Sequence, residues 1–170
     1  MSTVLLVDEN GHPLNSMDRA KAHESPGLLH RAFSIFVFRH GRKELLIQQR
    51  AEEKLFGLLW CNTCCSHLQE EEDLLEAGSR RLKEELGFTC PLKEGASFVY
   101  RAEDPNGKGA EYEYDTILKG SIEGEPPVTP REDEVRDWQW IDTEGLTVDM
   151  HRRPLLYAPW FHLAFPMVMR

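Results

Sequence analysis

Trp60-Cys61-Asn62-Thr63-Cys64-Cys65-Ser66-His67, running into the acidic stretch from Glu70 to Gly87, decides how the chain is read. Side chains alternate along a strand, so Cys65 and His67 would point to one face. The acidic stretch reads as a helix from Glu70 to Leu86. Leu74, Gly78, Leu82 and Leu86 recur every fourth residue, with Leu75 beside them, and make one apolar stripe. Gly87 is a natural C-terminal cap. Arg81 and Glu85 fall on the margin of the stripe, where a charge is costly unless paired. A reactive sulfur, a metal-type nitrogen and helix carboxylates thus arrive within one strand-turn-helix, which has the character of an active site.

Working outward, Thr3 to Val7, Ala32 to Phe38, Leu45 to Arg50, Ala96 to Ala102 and Asp137 to Ile141 read as strands. Glu111-Tyr112-Glu113-Tyr114-Asp115 alternates into Ile117-Leu118 as another. Arg19 to Gly27 reads as a loop, as does Gly120 to Pro130, and the tail after Pro159 reads as an aromatic helix. Strands interleaved with helices predict an α/β (α+β) layered domain. The 170 residues are expected to form one domain, 1–170.

Hydrophobic residues make up 41% of the chain, charged residues 29%, and the net charge is −9. The acidic balance argues against a generic nucleic-acid or anionic-membrane surface, while leaving room for an anionic small molecule held by a local basic pocket or a metal. The N-terminus has no basic segment ahead of its short apolar run, and no stretch approaches a membrane span. With three of the four cysteines almost adjacent, free thiols in a reducing cytoplasm are expected.

Several groups carry candidate chemistry. Glu111, Glu113 and Asp115 share one strand face, with Tyr112 and Tyr114 on the other; repeated like charges imply either a solvated surface or a cation. His23, His30 and His67 border apolar runs in three separate segments. Singly each is an ordinary histidine; together with two strand carboxylates they would make a nitrogen and oxygen site for Mn²⁺, Mg²⁺ or Zn²⁺. Cys65 reads as a packed thiol or as an acid/base or nucleophilic thiol, and just before it Trp60-Cys61-Asn62-Thr63-Cys64 has the Trp-Cys-x-x-Cys form of a redox pair. Arg19, Lys21, Arg50, Lys54 and Arg81 flank these elements and suit a phosphate or diphosphate. Tyr100 and Trp160 are core aromatics by default, although an indole face also stabilises a cation.

Taken together these segments resemble the type 1 isopentenyl-diphosphate isomerase family, of the Nudix-fold superfamily. The resemblance is carried by Ala22-His23, Gly27-Leu28-Leu29-His30-Arg31-Ala32-Phe33-Ser34, Asn62 to His67, Glu111-Tyr112-Glu113 and Ala158-Pro159-Trp160. It implies a Nudix-type α/β/α sandwich with a mixed sheet. It also implies interconversion of isopentenyl and dimethylallyl diphosphate through a tertiary carbocation. By resemblance, His23, His30, His67, Glu111 and Glu113 form a metal site, and Glu85 holds a Mg²⁺ that bridges to the diphosphate. Arg19, Arg50, Lys54, Ser66 and Arg81 contact the diphosphate. Cys65 and Glu113 are the acid/base pair, Tyr100 assists Glu113, and Trp160 faces the cation. The partner it implies is a small molecule, isopentenyl or dimethylallyl diphosphate; a cytoplasmic monomer without nucleic-acid or membrane partners is expected.

The chain also departs from related patterns. Arg81 stands where Nudix hydrolases carry a metal-binding Glu and Ser66 replaces a Gly, which weakens the cluster that activates water. Leu55-Phe56-Gly57-Leu58-Leu59-Trp60 lacks the family's Pro-Gly turn and is one residue shorter. The alternatives are a Nudix hydrolase of a diphosphate and a non-catalytic metal or thiol sensor.

Overall fold

The computed structural model describes residues 2–69 and 71–170. Nine strands make the sheet: β1 (Thr3–Val7), β2 (Pro13–Asp18), β3 (His30–Arg39), β4 (Glu44–Arg50), β5 (Trp60–Cys61), β6 (Cys64–Ser66), β7 (Leu92–Glu103), β8 (Ala110–Ser121) and β9 (Val135–Asp142). Helices α1 (Arg19–Ala22), α2 (Leu74–Leu86), α3 (Thr143–Arg152) and α4 (Pro159–Met169) complete it. β3 is the central strand. It runs parallel to β8 from His30↔Glu113 to Phe38↔Ser121, and antiparallel to β6 at Phe33↔Ser66, Ser34↔Cys65 and Ile35↔Cys64. β7 joins the far edge of β8, and β9 and β5 flank β4. The sheet is therefore mixed.

β3 is almost entirely buried because both of its faces are covered, as expected of a strand paired in parallel. Phe33, Ile35 and Val37 pack with Ala77, Leu82 and Leu86 of α2. Phe36 and Phe38, on the opposite face, pack with Leu146 and Met150 of α3 and Phe161, Ala164 and Phe165 of α4. Alternate residues of one strand thus feed two cores, and the result is the α/β/α layering that the family resemblance implies.

Several boundaries differ from the sequence reading. The acidic helix starts at Leu74, where the Asp73 carboxylate caps the amides of Leu75 and Glu76; Glu70 lies outside the described residues. Its apolar stripe uses Ala77 rather than Leu75, which is exposed. Gly87 closes it with φ 80. Arg19–Ala22, read as loop, is one helical turn capped by Asp18, and the strands around Ala96–Ala102 and Asp137–Ile141 are longer than read. The turn that lacks Pro-Gly is made by Phe56 (φ 55) and Leu58 (φ 67) in left-handed backbone. Gly57 lies between them, where an added Cβ would come within 2.3 Å of the Glu52 carbonyl.

Candidate active site

The acidic face of β8 is turned inward: Glu111, Glu113 and Asp115 are buried. That removes the solvated-surface reading and demands compensation. Glu113 lies opposite His30 on β3 and opposite Tyr100 on β7, in one row across three strands. Glu113 Oε1 faces His67 Nε2 at 3.1 Å and His30 Nε2 at 3.5 Å, and its Oε2 accepts a hydrogen bond from the Tyr100 hydroxyl at 2.5 Å. His23, at the end of α1, brings its Nε2 to 3.0 Å from Glu111 Oε2. The donor atoms of His23, His30, His67, Glu111 and Glu113 all lie within 4.8 Å of one another.

These five residues fit a divalent ion. His23 and His30 donate Nδ1–H to the carbonyls of Arg19 (2.6 Å) and Leu28 (2.7 Å), which leaves each Nε2 lone pair facing inward. His23 Nε2 and Glu111 Oε2 are buried without a hydrogen-bond partner although they face each other, and two imidazole Nε2 atoms, of His30 and His67, lie 3.0 Å apart. Orphaned buried atoms and crowded lone pairs are what a bound cation would relieve. Burial holds His67 well below the usual imidazole range, in its neutral ligand form. Burial pulls His23 down as well, and the adjacent Glu111 more than reverses that. For Glu113, burial is outweighed by His30 and the Tyr100 hydrogen bond, so its carboxyl stays below the ordinary range.

Beside the group is a cavity of about 140 Å³ lined by Cys65, Ser66, His67, Tyr100, Glu111, Glu113 and Trp160, and by Arg19, Arg50, Lys54, Arg80 and Arg81. Cys65 and Glu113 come from β6 and β8, which pair with the two opposite edges of β3. Cys65 lies opposite Ser34 and Glu113 opposite His30, so both project from one face of the sheet. Burial, then the Cys61 thiol, pushes the Cys65 thiol well above its usual range. Its sulfur is 3.1 Å from Asn62 Oδ1 and 3.7 Å from Ser34 Oγ. Trp160 is buried under Tyr100 (5.9 Å between rings) and Phe56 (5.3 Å), with the Arg50 guanidinium 5.2 Å from its ring. All four cysteines are free, and Cys61 and Cys64 are wholly buried on separate strands, unlike an exposed dithiol pair.

Three of the cavity's cations, Lys54, Arg80 and Arg81, are paired with carboxylates. Arg81 donates to Glu84 (2.6 Å), Glu85 (2.6 Å) and Glu134 (2.9 Å), and Lys54 bonds the other oxygen of Glu134. Although Glu134 lies against it, burial and then the charge of Arg50 bring Lys54 down to about 8. Glu85 is buried, accepts from Arg81 and from Gln48 (3.1 Å), and does not line the cavity. Glu85 thus stands apart from the cavity, as does Lys21, which is exposed on α1. Glu134 and Arg80, which the sequence reading left unassigned, do line the cavity. Glu134 sits just before β9 with no motif around it, so only its position reveals it.

Comparison with known proteins points to one family. The NUDIX domain model matches residues 28–161. The chain is 45% identical over 158 residues to "Isopentenyl-diphosphate Delta-isomerase 2" of Aromatoleum aromaticum, covering 92% of this chain and 81% of that one. It is 43% identical to the protein of the same name from Photorhabdus laumondii (93% and 87% covered). It is 41% identical to the isopentenyl-diphosphate Delta-isomerase of Halorhodospira halophila (95% and 91% covered). Among solved structures, DR0079 of Deinococcus radiodurans superposes with a TM-score of 0.73 at 17% identity, covering 98% of this chain and 99% of that one. A MutT NUDIX hydrolase of Burkholderia pseudomallei gives 0.64 at 17% identity, covering 82% and 98%; these two likenesses concern the fold alone. With a NUDIX domain spanning most of its length and relatives above 40% identity across nearly all of it, the chain belongs to the isopentenyl-diphosphate Delta-isomerase family of NUDIX-domain proteins.

Proposed function

We propose that this protein interconverts isopentenyl diphosphate and dimethylallyl diphosphate by adding a proton at one end of the alkene unit and removing one at the other. The observation that carries the reading is a single cavity lined by a thiol, a phenol-bonded carboxylate, an indole and five cations, next to a buried His/Glu group.

Glu113, with Tyr100 behind it, and Cys65 work on opposite sides of the alkene. One delivers a proton to the terminal carbon and leaves a tertiary cation. The other takes a proton from the carbon next to the oxygen-bearing methylene. Trp160 faces the cation, and the closed aromatic packing around it excludes water that would trap the intermediate. Arg19, Arg50, Lys54, Ser66 and Arg81 hold the diphosphate, joined by Arg80, which shares the cavity.

His23, His30, His67, Glu111 and Glu113 would hold a divalent ion, Mn²⁺, Mg²⁺ or Zn²⁺ by donor type, which when bound supplies charge compensation at the buried carboxylates. Glu85 has both oxygens engaged, so to help hold a Mg²⁺ at the diphosphate it would need Arg81 to shift toward the substrate. The 170 residues are read as one domain, supported by the continuous sheet, and as a monomer. No described helix is long and apolar enough to cross a membrane. The free thiols suit a reducing cytoplasm.

The decisive experiment is incubation with isopentenyl diphosphate and Mg²⁺ in D₂O, followed by NMR. Deuterium incorporation with appearance of dimethylallyl diphosphate is the expected result. Release of phosphate or pyrophosphate without isomerisation would instead mark a hydrolase, and metal or thiol changes without any turnover would mark a sensor.

A further inference from the structure

Asn62 does not line the cavity, yet it touches two residues that do. It lies fully buried between β5 and β6. Both amide N–H groups are spent on backbone: Nδ2 donates to the carbonyls of Ile35 (3.1 Å) and Cys64 (2.9 Å). A flipped amide would set its oxygen against those two carbonyl oxygens, so the direction of the side chain is fixed. Oδ1 then accepts from two side chains at once, the indole N–H of Trp160 (3.0 Å) and the thiol of Cys65 (3.1 Å). The oxygen has two acceptor sites and both are filled.

We infer that Asn62 is a positioning residue whose single carboxamide oxygen fixes the Cys65 sulfur and the Trp160 indole relative to each other. The inference rests on the roles proposed above for those two residues. Cys65 belongs to the central sheet, whereas Trp160 enters on α4 from a distant part of the chain, and Asn62 is the shared anchor of both. Anchored on β3 through Ile35 and on β6 through Cys64, it makes the proton-carrying sulfur and the cation-facing ring one rigid pair. The NH₂ half of the side chain braces the sheet, and the oxygen half sets the reacting groups. A simple brace would need only the first.

The test compares wild type with Asn62→Ala in the isomerisation assay and by ¹⁵N NMR of the indole groups, the Trp160 resonance being identified by its loss in Trp160→Phe. In Asn62→Ala, kcat is expected to fall about 100-fold while KM changes less than about threefold, because the diphosphate cations are untouched. The Trp160 Nε1–H resonance is expected to move. In a double-mutant cycle, Asn62→Ala should cost less once Trp160 is Phe, since part of its effect is already gone. A folded Asn62→Ala with wild-type kcat and an unmoved indole resonance overturns the inference, as does a change confined to KM. Wild-type protein that does not isomerise at all brings down the proposed activity instead. Should Asn62→Ala fail to fold, Cys65→Ala decides without an activity readout. Removing one donor from a shared oxygen shifts the Trp160 indole proton while Trp138 and Trp140 stay in place, and an unshifted Trp160 overturns the inference.

Discussion

Glu113 divides its two oxygens between neighbours: Tyr100 donates to Oε2 at 2.5 Å, while Oε1 faces the imidazoles of His67 and His30. A carboxylate bound to a cation is hard to protonate, because the cation stabilises its charged form. The division leaves one oxygen to the His/Glu group and the other to the phenol. Tyr100→Phe should therefore lower kcat by about 100-fold without changing metal content, as read by elemental analysis beside the kinetic assay. Glu113→Gln should lose both. A Tyr100→Phe protein depleted of metal would show that the two oxygens are not separate in function.

Cys65→Ala should fold and bind metal like wild type, since the sulfur lies outside the His/Glu group and is half-buried. Its turnover should drop by about 10³-fold, within the range for loss of one proton-transferring group. Circular dichroism, metal content and product NMR check the three parts. Full activity in Cys65→Ala would eliminate the thiol from the mechanism.

Lys54 gives the site a pH dependence of defined sign. Its ammonium titrates near 8, against 10.5 for an unburied lysine, so it is charged below that point and neutral above. Diphosphate binding needs the charge, so KM should rise as pH passes about 8. Lys54→Arg should flatten that limb, because a guanidinium stays charged. Stability moves the other way. Between about 8 and 10.5 the unfolded chain holds a proton that the folded one lacks, so the contribution of this group to stability increases with pH there. A KM independent of pH between 7 and 10 would remove Lys54 from the binding set.

A chelator should abolish activity, and a divalent ion should restore it. An ion present at a hundredfold excess over its dissociation constant stabilises the native state by about 2.7 kcal/mol, visible as a rise in Tm. His23→Ala removes one of the five donors and should cancel most of that rise. Equal thermal shifts in wild type and His23→Ala would place the ion elsewhere.

Gly109 supports the same group from behind. At φ 143 it occupies backbone that favours glycine, and an added Cβ would come within 2.4 Å of the His23 carbonyl. That carbonyl accepts the amide of Ala110 at 2.8 Å. Gly109→Ala should cost about 1–3 kcal/mol and weaken metal affinity as well, measured by thermal melts with and without the ion. Unchanged metal affinity would uncouple the His23 loop from the start of β8.

The elements built from regular apolar spacing were legible. The stripe through Leu82 and Leu86 with Gly87 behind it gave α2, and the alternation through Glu111 and Glu113 gave β8. Besides the single turn of α1, two elements carried no such pattern. β2 is exposed and polar, with Pro13 at its start, and α3 contains Gly145 and β-branched Thr147 and Val148, so propensity did not announce either. Leu75 was misplaced because a helical stripe is narrow and the partner surface decides its edges. The candidate site was legible mainly through the family resemblance. Nothing in the spacing of His23, His30 and His67 brings them together; the parallel pairing of β3 with β8 and the return of α1 do. Glu134 and Asn62 carry no periodicity, and their roles lie in which atoms they reach.

The row formed by His30, Glu113 and Tyr100 across three strands has a consequence for how the chain reaches its native state. If β8 slid by one residue against its neighbours, Glu113 would turn to the opposite face and a tyrosine would occupy its place, breaking up the donor set. An ion that needs all five donors would bind only the correct alignment. The cation would then act as a proofreader during folding, rewarding the one strand pairing from which an enzyme can be made.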